Sequence, residues 1–147
     1  MIKEIENEVE QFSNEWQSIT MTYSDYARSK GISYTSLQIL RYITHTTDCT
    51  QKSICKMSFL PKQTVNTIIT GFYKKGYIEL RELPEDRRTK TIHLTKKGQD
   101  YMDTFSPHIK KAECEAMQAL SEEQRTMLIE SIRLYGKVFR EKIFDHQ

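Results

Sequence analysis

At Gly76 the spacing of apolar residues changes period, and that change limits what the 147-residue chain can fold into more than any other feature. Before it, Val65, Ile68, Ile69 and Phe72 recur at i, i+3, i+4 and i+7, the buried stripe of an amphipathic helix. After it, Tyr77-Ile78-Glu79-Leu80-Arg81 alternates with period 2. Pro84-Glu85-Asp86-Arg87-Arg88 has the composition of a turn, and Thr91-Ile92-His93-Leu94 alternates again. The spacing therefore predicts a helix, a glycine cap with Lys74 and Lys75 at the negative helix end, and a short antiparallel hairpin with a charged tip.

The rest of the chain reads as helix. Ile2, Ile5, Val9, Phe12, Trp16, Ile19, Tyr23 and Tyr26 are separated alternately by three and four residues, a seam of period 3.5 that belongs to a long helix lying on other helices. Gly31 ends it. Ser33 is expected to cap a second helix over about 34–46, inward at Leu37, Ile39, Leu40 and Ile43. A polar link, Thr46-Thr47-Asp48-Cys49, leads to Thr50, the expected N-cap of a short third helix with Ile54 and Met57 inward. Phe59-Leu60-Pro61 breaks that helix, and Pro61 suits the first position of the fourth, which runs to about Lys75. Thr95 opens a long helix to about Ala119, with Tyr101, Phe105, Ile109, Ala112 and Ala116 on one face and a kink near Ser106 caused by Pro107. Ser121-Glu122-Glu123-Gln124 has the form of a capping box. The helix it opens carries Leu128, Ile132, Tyr135, Phe139 and Ile143. The expected fold is mainly α with a small β-hairpin wing, a winged helix-turn-helix in one domain over 1–147.

Composition narrows the function class. The formal net charge is only +2, but it divides unevenly: −3 over residues 1–33, +2 over 34–60, +5 over 61–98 and −2 over 99–147. A local basic stretch attracts a phosphate backbone, because neutralising phosphates releases condensed counterions. No run approaches the ~18 apolar residues of a membrane span, and Met1-Ile2-Lys3-Glu4-Ile5-Glu6 lacks an apolar secretory segment, so the expected location is cytoplasmic with no membrane partner. Cys49, Cys55 and Cys114 show no C-x-x-C spacing, and His45, His93, His108 and His146 no H-x-x-x-H pair, so neither metal nor cofactor is expected. No nucleophile–base pair, glycine-rich phosphate loop or pair of carboxylates with assignable roles suggests an enzyme. Cys55 is expected to fill a small buried site and Cys49 to lie exposed in its link. With a hydrophobic content of 37%, the terminal helices are expected to complete their core in a second copy of the chain.

The function-bearing constellation is the short third helix, the tight break, the fourth helix and the basic hairpin. The second helix of such a pair enters a major groove while a hairpin loop reaches the adjacent minor groove. With its apolar stripe inward, the fourth helix turns Lys62, Gln63, Thr64, Asn66, Thr67 and Thr70 outward. Gln and Asn pair bidentately with adenine and Thr meets base edges or a thymine methyl, while Lys62 at the helix start suits phosphate.

Here the sequence resembles the MarR family of transcriptional regulators. The family's D-x-R, alternating apolar residues and L-T-x-x-G stand as Asp86-Arg87-Arg88, Ile92 and Leu94-Thr95-Lys96-Lys97-Gly98. Thr50-Gln51, Ile54-Cys55, Thr64-Val65 and Lys74-Lys75-Gly76-Tyr77-Ile78 match further positions, and the likeness covers essentially the whole chain. It implies a homodimeric repressor on a pseudo-palindromic operator in double-stranded DNA. Residues 34–98 would form the DNA-binding lobe, and 1–30 with 99–147 the dimerisation helices. By the same resemblance Arg88 enters the minor groove, Asp86 orients it, and Arg87 and Lys90 meet phosphates.

Relatives of this family bind small phenolic or lipophilic anions beside the dimerisation helices. Trp16, Tyr23, Tyr26, Tyr34 and Tyr42 are the residues for such an effector cleft, with Arg28 or Arg41 as its cation. The chain departs from the family at Phe59, where a turn Gly is usual, at Leu60-Pro61 in place of a small cap, and at Thr67, often Arg or Ser. Gly71 interrupts the recognition helix, and close packing against a neighbouring helix is its expected reason. Residues 1–28 lack the cysteine of the hydroperoxide-sensing branch, and His108 alone does not make the zinc-sensing cluster. The alternatives are a winged-helix interaction module that does not read DNA and a thiol-based redox-responsive regulator.

Overall fold

The capping residues foreseen in the sequence set most of the helix boundaries in the computed structural model, which describes residues 1–145; His146 and Gln147 lie outside the described residues. The chain divides into two compact units, Met1–Thr104 and Phe105–Gln147.

In the first unit, α1 (Ile2–Ser29) closes at Gly31, whose φ of 72° is the left-handed conformation that glycine adopts without steric cost. The amides of Gly31 and Ile32 donate to the carbonyls of Arg28 and Ala27, at 3.0 and 3.1 Å, a double closure of the last helical turn. The Ser33 hydroxyl accepts from the Ser36 amide and starts α2 (Tyr34–His45), which buries Leu37, Ile39, Leu40 and Ile43. Thr50 and Ser53 form a reciprocal capping box on α3 (Gln51–Ser58), where Ile54 is buried and Met57 half-buried. α4 (Lys62–Lys74) buries Val65, Ile69 and Phe72, with Ile68 half-buried. It ends as α1 does: Gly76, at φ 73°, and Tyr77 donate to the carbonyls of Tyr73 and Phe72. Pro61 precedes α4 rather than occupying its first turn: its ring fixes φ at −58°, but its ψ of 141° is extended.

β1 (Ile78–Glu82) and β2 (Lys90–Leu94) pair antiparallel with Leu80 opposite Ile92 and Glu82 opposite Lys90. The other edge of β2 is also engaged, since the Ile92 amide donates to the Cys49 carbonyl at 2.7 Å. That bond draws the 46–50 link against the sheet and buries Cys49, expected to be exposed, while Cys55, expected to be buried, is half-buried. α5 (Lys96–Asp103) begins where Thr95 ties three pieces of chain together. Its amide donates to the Tyr77 carbonyl (3.0 Å), its hydroxyl donates to the Gly76 carbonyl (2.5 Å), and the same oxygen accepts from the Gly98 amide (3.0 Å). A Cβ on Gly98 would stand 1.9 Å from the Tyr77 carbonyl oxygen, so the backbones approach here as only glycine allows. At Gly71, by contrast, a Cβ would meet nothing within 4 Å, and the close packing expected there is absent.

The second unit contains α6 (Ser106–Gln118) and α7 (Glu122–Ile143). The single kinked helix expected from Thr95 to Ala119 is instead two helices. Phe105, at φ −137° and ψ −28°, leaves helical geometry, and Pro107 falls in the first turn of α6, where its missing N–H interrupts no hydrogen bond. Phe105 and Ile109 are buried, whereas Ala112 and Ala116 are exposed. Ser121 and Gln124 form the expected capping box of α7, none of whose residues is buried within the chain. No helix among the described residues is long and apolar enough to cross a membrane.

Candidate nucleic-acid interface

The inward stripe of α4 dictates what its other face presents. Lys62, Gln63, Asn66, Thr67 and Thr70 are exposed and Thr64 is half-buried. The Thr67 hydroxyl donates to the Gln63 carbonyl at 2.9 Å, one turn back in its own helix. No side chain caps the N-terminus of α4, and the positive end of the helix dipole is left to solvent.

The wing is built by one carboxylate. Asp86 Oδ1 accepts from the Arg88 amide at 3.0 Å and Oδ2 from the Thr89 hydroxyl at 2.7 Å. The Asp86 amide donates to the Leu83 carbonyl and the Thr89 amide to the Asp86 carbonyl, both at 3.2 Å. These bonds, the Thr89 hydroxyl first and the Arg88 amide next, hold the Asp86 carboxyl below its ordinary pKa. Asp86 thus shapes the turn that carries Arg88 by bonding its main chain. Arg87, Arg88 and Lys90 are exposed. Among the described residues the side chains of Lys62, Arg87, Arg88 and Lys90 form no salt bridge, whereas Arg81 on the neighbouring strand is bound to Glu79.

Between α3, α4 and the wing lies a groove of about 650 Å³. Lys62, Asn66, Thr70, Arg88 and Lys90 line it, so five of the residues singled out in the sequence come together from α4 and the wing. Gln63, Thr64, Thr67 and Arg87 lie outside that lining. Lys52, Tyr73, Leu80 and Thr89 share the groove and were not foreseen; for Lys52 the signal was available, as a lysine on the outer side of a helix that buries Ile54.

The five aromatic residues named for an effector cleft occupy several sites. Tyr23 and Tyr34 stack with centroids 5.7 Å apart. Trp16, 54% exposed, lies against Phe12 at 6.0 Å, and the Lys30 ammonium sits 5.5 Å above the Tyr26 ring. The Tyr42 hydroxyl donates to the Met57 carbonyl at 3.3 Å, toward α3. A separate hollow at the α1–α2 junction contains Tyr34 and Arg28 together with Thr20, Ser24, Ser33 and Thr35. Of the cysteines, Cys114 is exposed, Cys55 faces the groove beside α4, and Cys49 is 1% exposed. Burial pushes the Cys49 thiol up, offset only in part by the Ser53 hydroxyl. A thiol so placed is a poor source of the reactive thiolate.

Comparison with known proteins bears on this arrangement. The sequence profile of the MarR family matches residues 30–89, from the end of α1 to the wing turn. The HTH-type transcriptional regulator SarZ of Staphylococcus epidermidis is 27% identical over 90 residues, 61% of each chain, so the match spans about three fifths of that relative's length. The MarR family regulator NMB1585 of Neisseria meningitidis superposes with a TM-score of 0.81 at 21% identity, over 95% of this chain and 99% of that one. FabT of Streptococcus pneumoniae, whose structure was solved in complex with DNA, superposes with a TM-score of 0.72 at 21% identity, over 90% of this chain and 98% of that one. These relatives are regulators rather than enzymes, and their fold is the two-stranded wing on a helical frame described above. Over residues 30–89 the chain is similar to the MarR family of transcriptional regulators, and its fold is that of solved MarR-family regulators.

Proposed function

We propose that the protein is a homodimeric, cytoplasmic repressor that binds a pseudo-palindromic operator through α4 and the wing and is released by a small effector. One observation carries the reading: Lys62, Asn66 and Thr70 of α4 and Arg88 and Lys90 of the wing border one groove, and those cations have no acidic partner among the described residues. Gln63, Asn66 and Thr67 supply base-edge chemistry, while Lys62, Arg87 and Lys90 supply phosphate contacts. Arg88 on the Asp86-shaped turn supplies the minor-groove contact. FabT, solved on DNA, supports the reading as a structural relative. The dimer is supported separately on the two terminal elements. Ile2, Ile5, Val9, Trp16 and Ile19 of α1 are exposed in the single chain, and so are Leu128, Ile132, Tyr135, Phe139 and Ile143 of α7. A residue stripe of that kind is characteristic of an unfinished interface.

A gel-shift assay with duplexes selected from random sequence tests the operator reading. Arg88→Ala is expected to weaken binding at least about fivefold, in line with the roughly 1–3 kcal/mol of a good groove contact. Wild-type affinity in that variant would remove the wing from the mechanism. For the effector we propose a phenolic or lipophilic anion at the Tyr23–Tyr34 stack, with Arg28 as its cation and Trp16, Tyr26 and Tyr42 as the remaining aromatic candidates. Titration with salicylate-like compounds is expected to change the fluorescence of Trp16, the chain's only tryptophan. A flat response in fluorescence and in operator affinity would dismiss this ligand class.

A further inference from the structure

We propose that Phe59 is a specificity-determining residue whose ring, held out of the α3–α4 turn, meets the C5-methyl of a thymine next to the bases faced by α4. The proposal rests on the DNA-binding reading above. Phe59 ends α3 in the left-handed region, at φ 56° and ψ 20°. A bulky side chain is unfavourable there, and glycine or asparagine is the usual occupant. The ring recovers none of that cost by burial, because Phe59 is 81% exposed. The turn is nevertheless firmly held. The Phe59 amide donates to the Cys55 carbonyl at 3.1 Å, and the Ser58 hydroxyl accepts from the Leu60 amide at 3.2 Å. Strain retained in a fixed conformation, with no gain in packing, is characteristic of functional positions.

The surroundings indicate what the ring meets. Phe59 lies three residues before Lys62, the uncapped start of α4, and three after the exposed Lys56. Along the chain it therefore stands between two exposed lysines, a setting that suits a polyanion. In a major groove the one apolar feature at a base edge is the thymine methyl group, which phenylalanine contacts. Gln63 and Asn66, on the same helix end, offer the polar contacts of the neighbouring bases.

The test is a deoxyuridine scan of an operator selected by the wild-type protein, read by fluorescence anisotropy. Replacing a single thymine of each half-site by deoxyuridine, which lacks the methyl, should weaken wild-type binding about five- to tenfold. Phe59→Gly should weaken binding to the thymine duplex by a similar factor and show no further loss on the deoxyuridine duplex. Phe59→Leu should keep part of the thymine preference. The Phe59→Gly protein should also melt a few degrees higher, which separates lost contact from lost folding. Unchanged affinity in Phe59→Gly, or the same deoxyuridine sensitivity in both proteins, would overturn the proposal. If Arg88→Ala still weakens binding in that case, the operator reading survives; if the wild type selects no duplex at all, both fall.

Discussion

Gly98 and Gly71 occupy helices of similar character, yet their substitution should have opposite consequences. The Cβ of alanine at 98 would fall 1.9 Å from the Tyr77 carbonyl oxygen, at the junction where Thr95 binds the end of α4 to the start of α5. Gly98→Ala is expected to destabilise the fold by at least about 2 kcal/mol, since the clash is with backbone and no rotamer relieves it. At Gly71 the added methyl meets nothing within 4 Å, and Gly71→Ala should stabilise by about 1 kcal/mol through helix propensity alone. Urea unfolding of both variants checks the pair; destabilisation at both positions would show that α4 needs its glycine for another reason. The L-T-x-x-G pattern was legible in the sequence, but its cause was not. The cause is the approach of residues 77 and 98, which no local pattern encodes. Gly71 is the converse case, where a packing reason was expected and the surroundings are open.

The elements themselves were legible wherever caps and periodicity agreed. Ser33, Thr50, Thr95 and Ser121 each begin a helix with a side-chain hydrogen bond, and the hairpin falls where the period changes. Two features failed because a tertiary partner decided them. The 46–50 link reads as polar coil, but the bond from the Ile92 amide to the Cys49 carbonyl joins it to β2 and buries the thiol. The region around Pro107 reads as a kink, but Phe105 takes a non-helical conformation with its side chain buried, and the helix restarts.

The wing depends on an ionised side chain, which makes it sensitive to pH. The Asp86 carboxyl has its pKa lowered by the bonds it accepts, so its contribution to the turn is present above the ordinary carboxylate range and is lost as pH falls through the lowered value. Protection of the Arg88 amide against hydrogen exchange should therefore fall on acidification, and Asp86→Ala should lack protection there at neutral pH. An Arg88 amide equally protected in that variant would show that the turn holds without the carboxylate. Because Asp86 is solvent-exposed, the effect concerns the local turn and not global stability.

At the scale of the whole molecule, the modest net charge of +2 combines a +5 segment over 61–98 with acidic segments at both ends. Such a distribution concentrates the attraction for a polyanion on the winged-helix segment. The same two ends carry the exposed apolar stripes of α1 and α7. Sedimentation equilibrium is expected to give a dimer, and Ile132→Glu with Phe139→Glu a monomer that binds DNA more weakly. A wild-type protein that stays monomeric at micromolar concentration would refute the dimer.

Whether α4 and the wing form a DNA-reading face is decided by the salt dependence of binding to a selected operator. Log K is expected to fall steeply and linearly with log salt concentration, and Arg87→Ala with Lys90→Ala to make the slope shallower by about 0.9 for each phosphate contact removed. A slope near zero, or one that those substitutions leave unchanged, would contradict it.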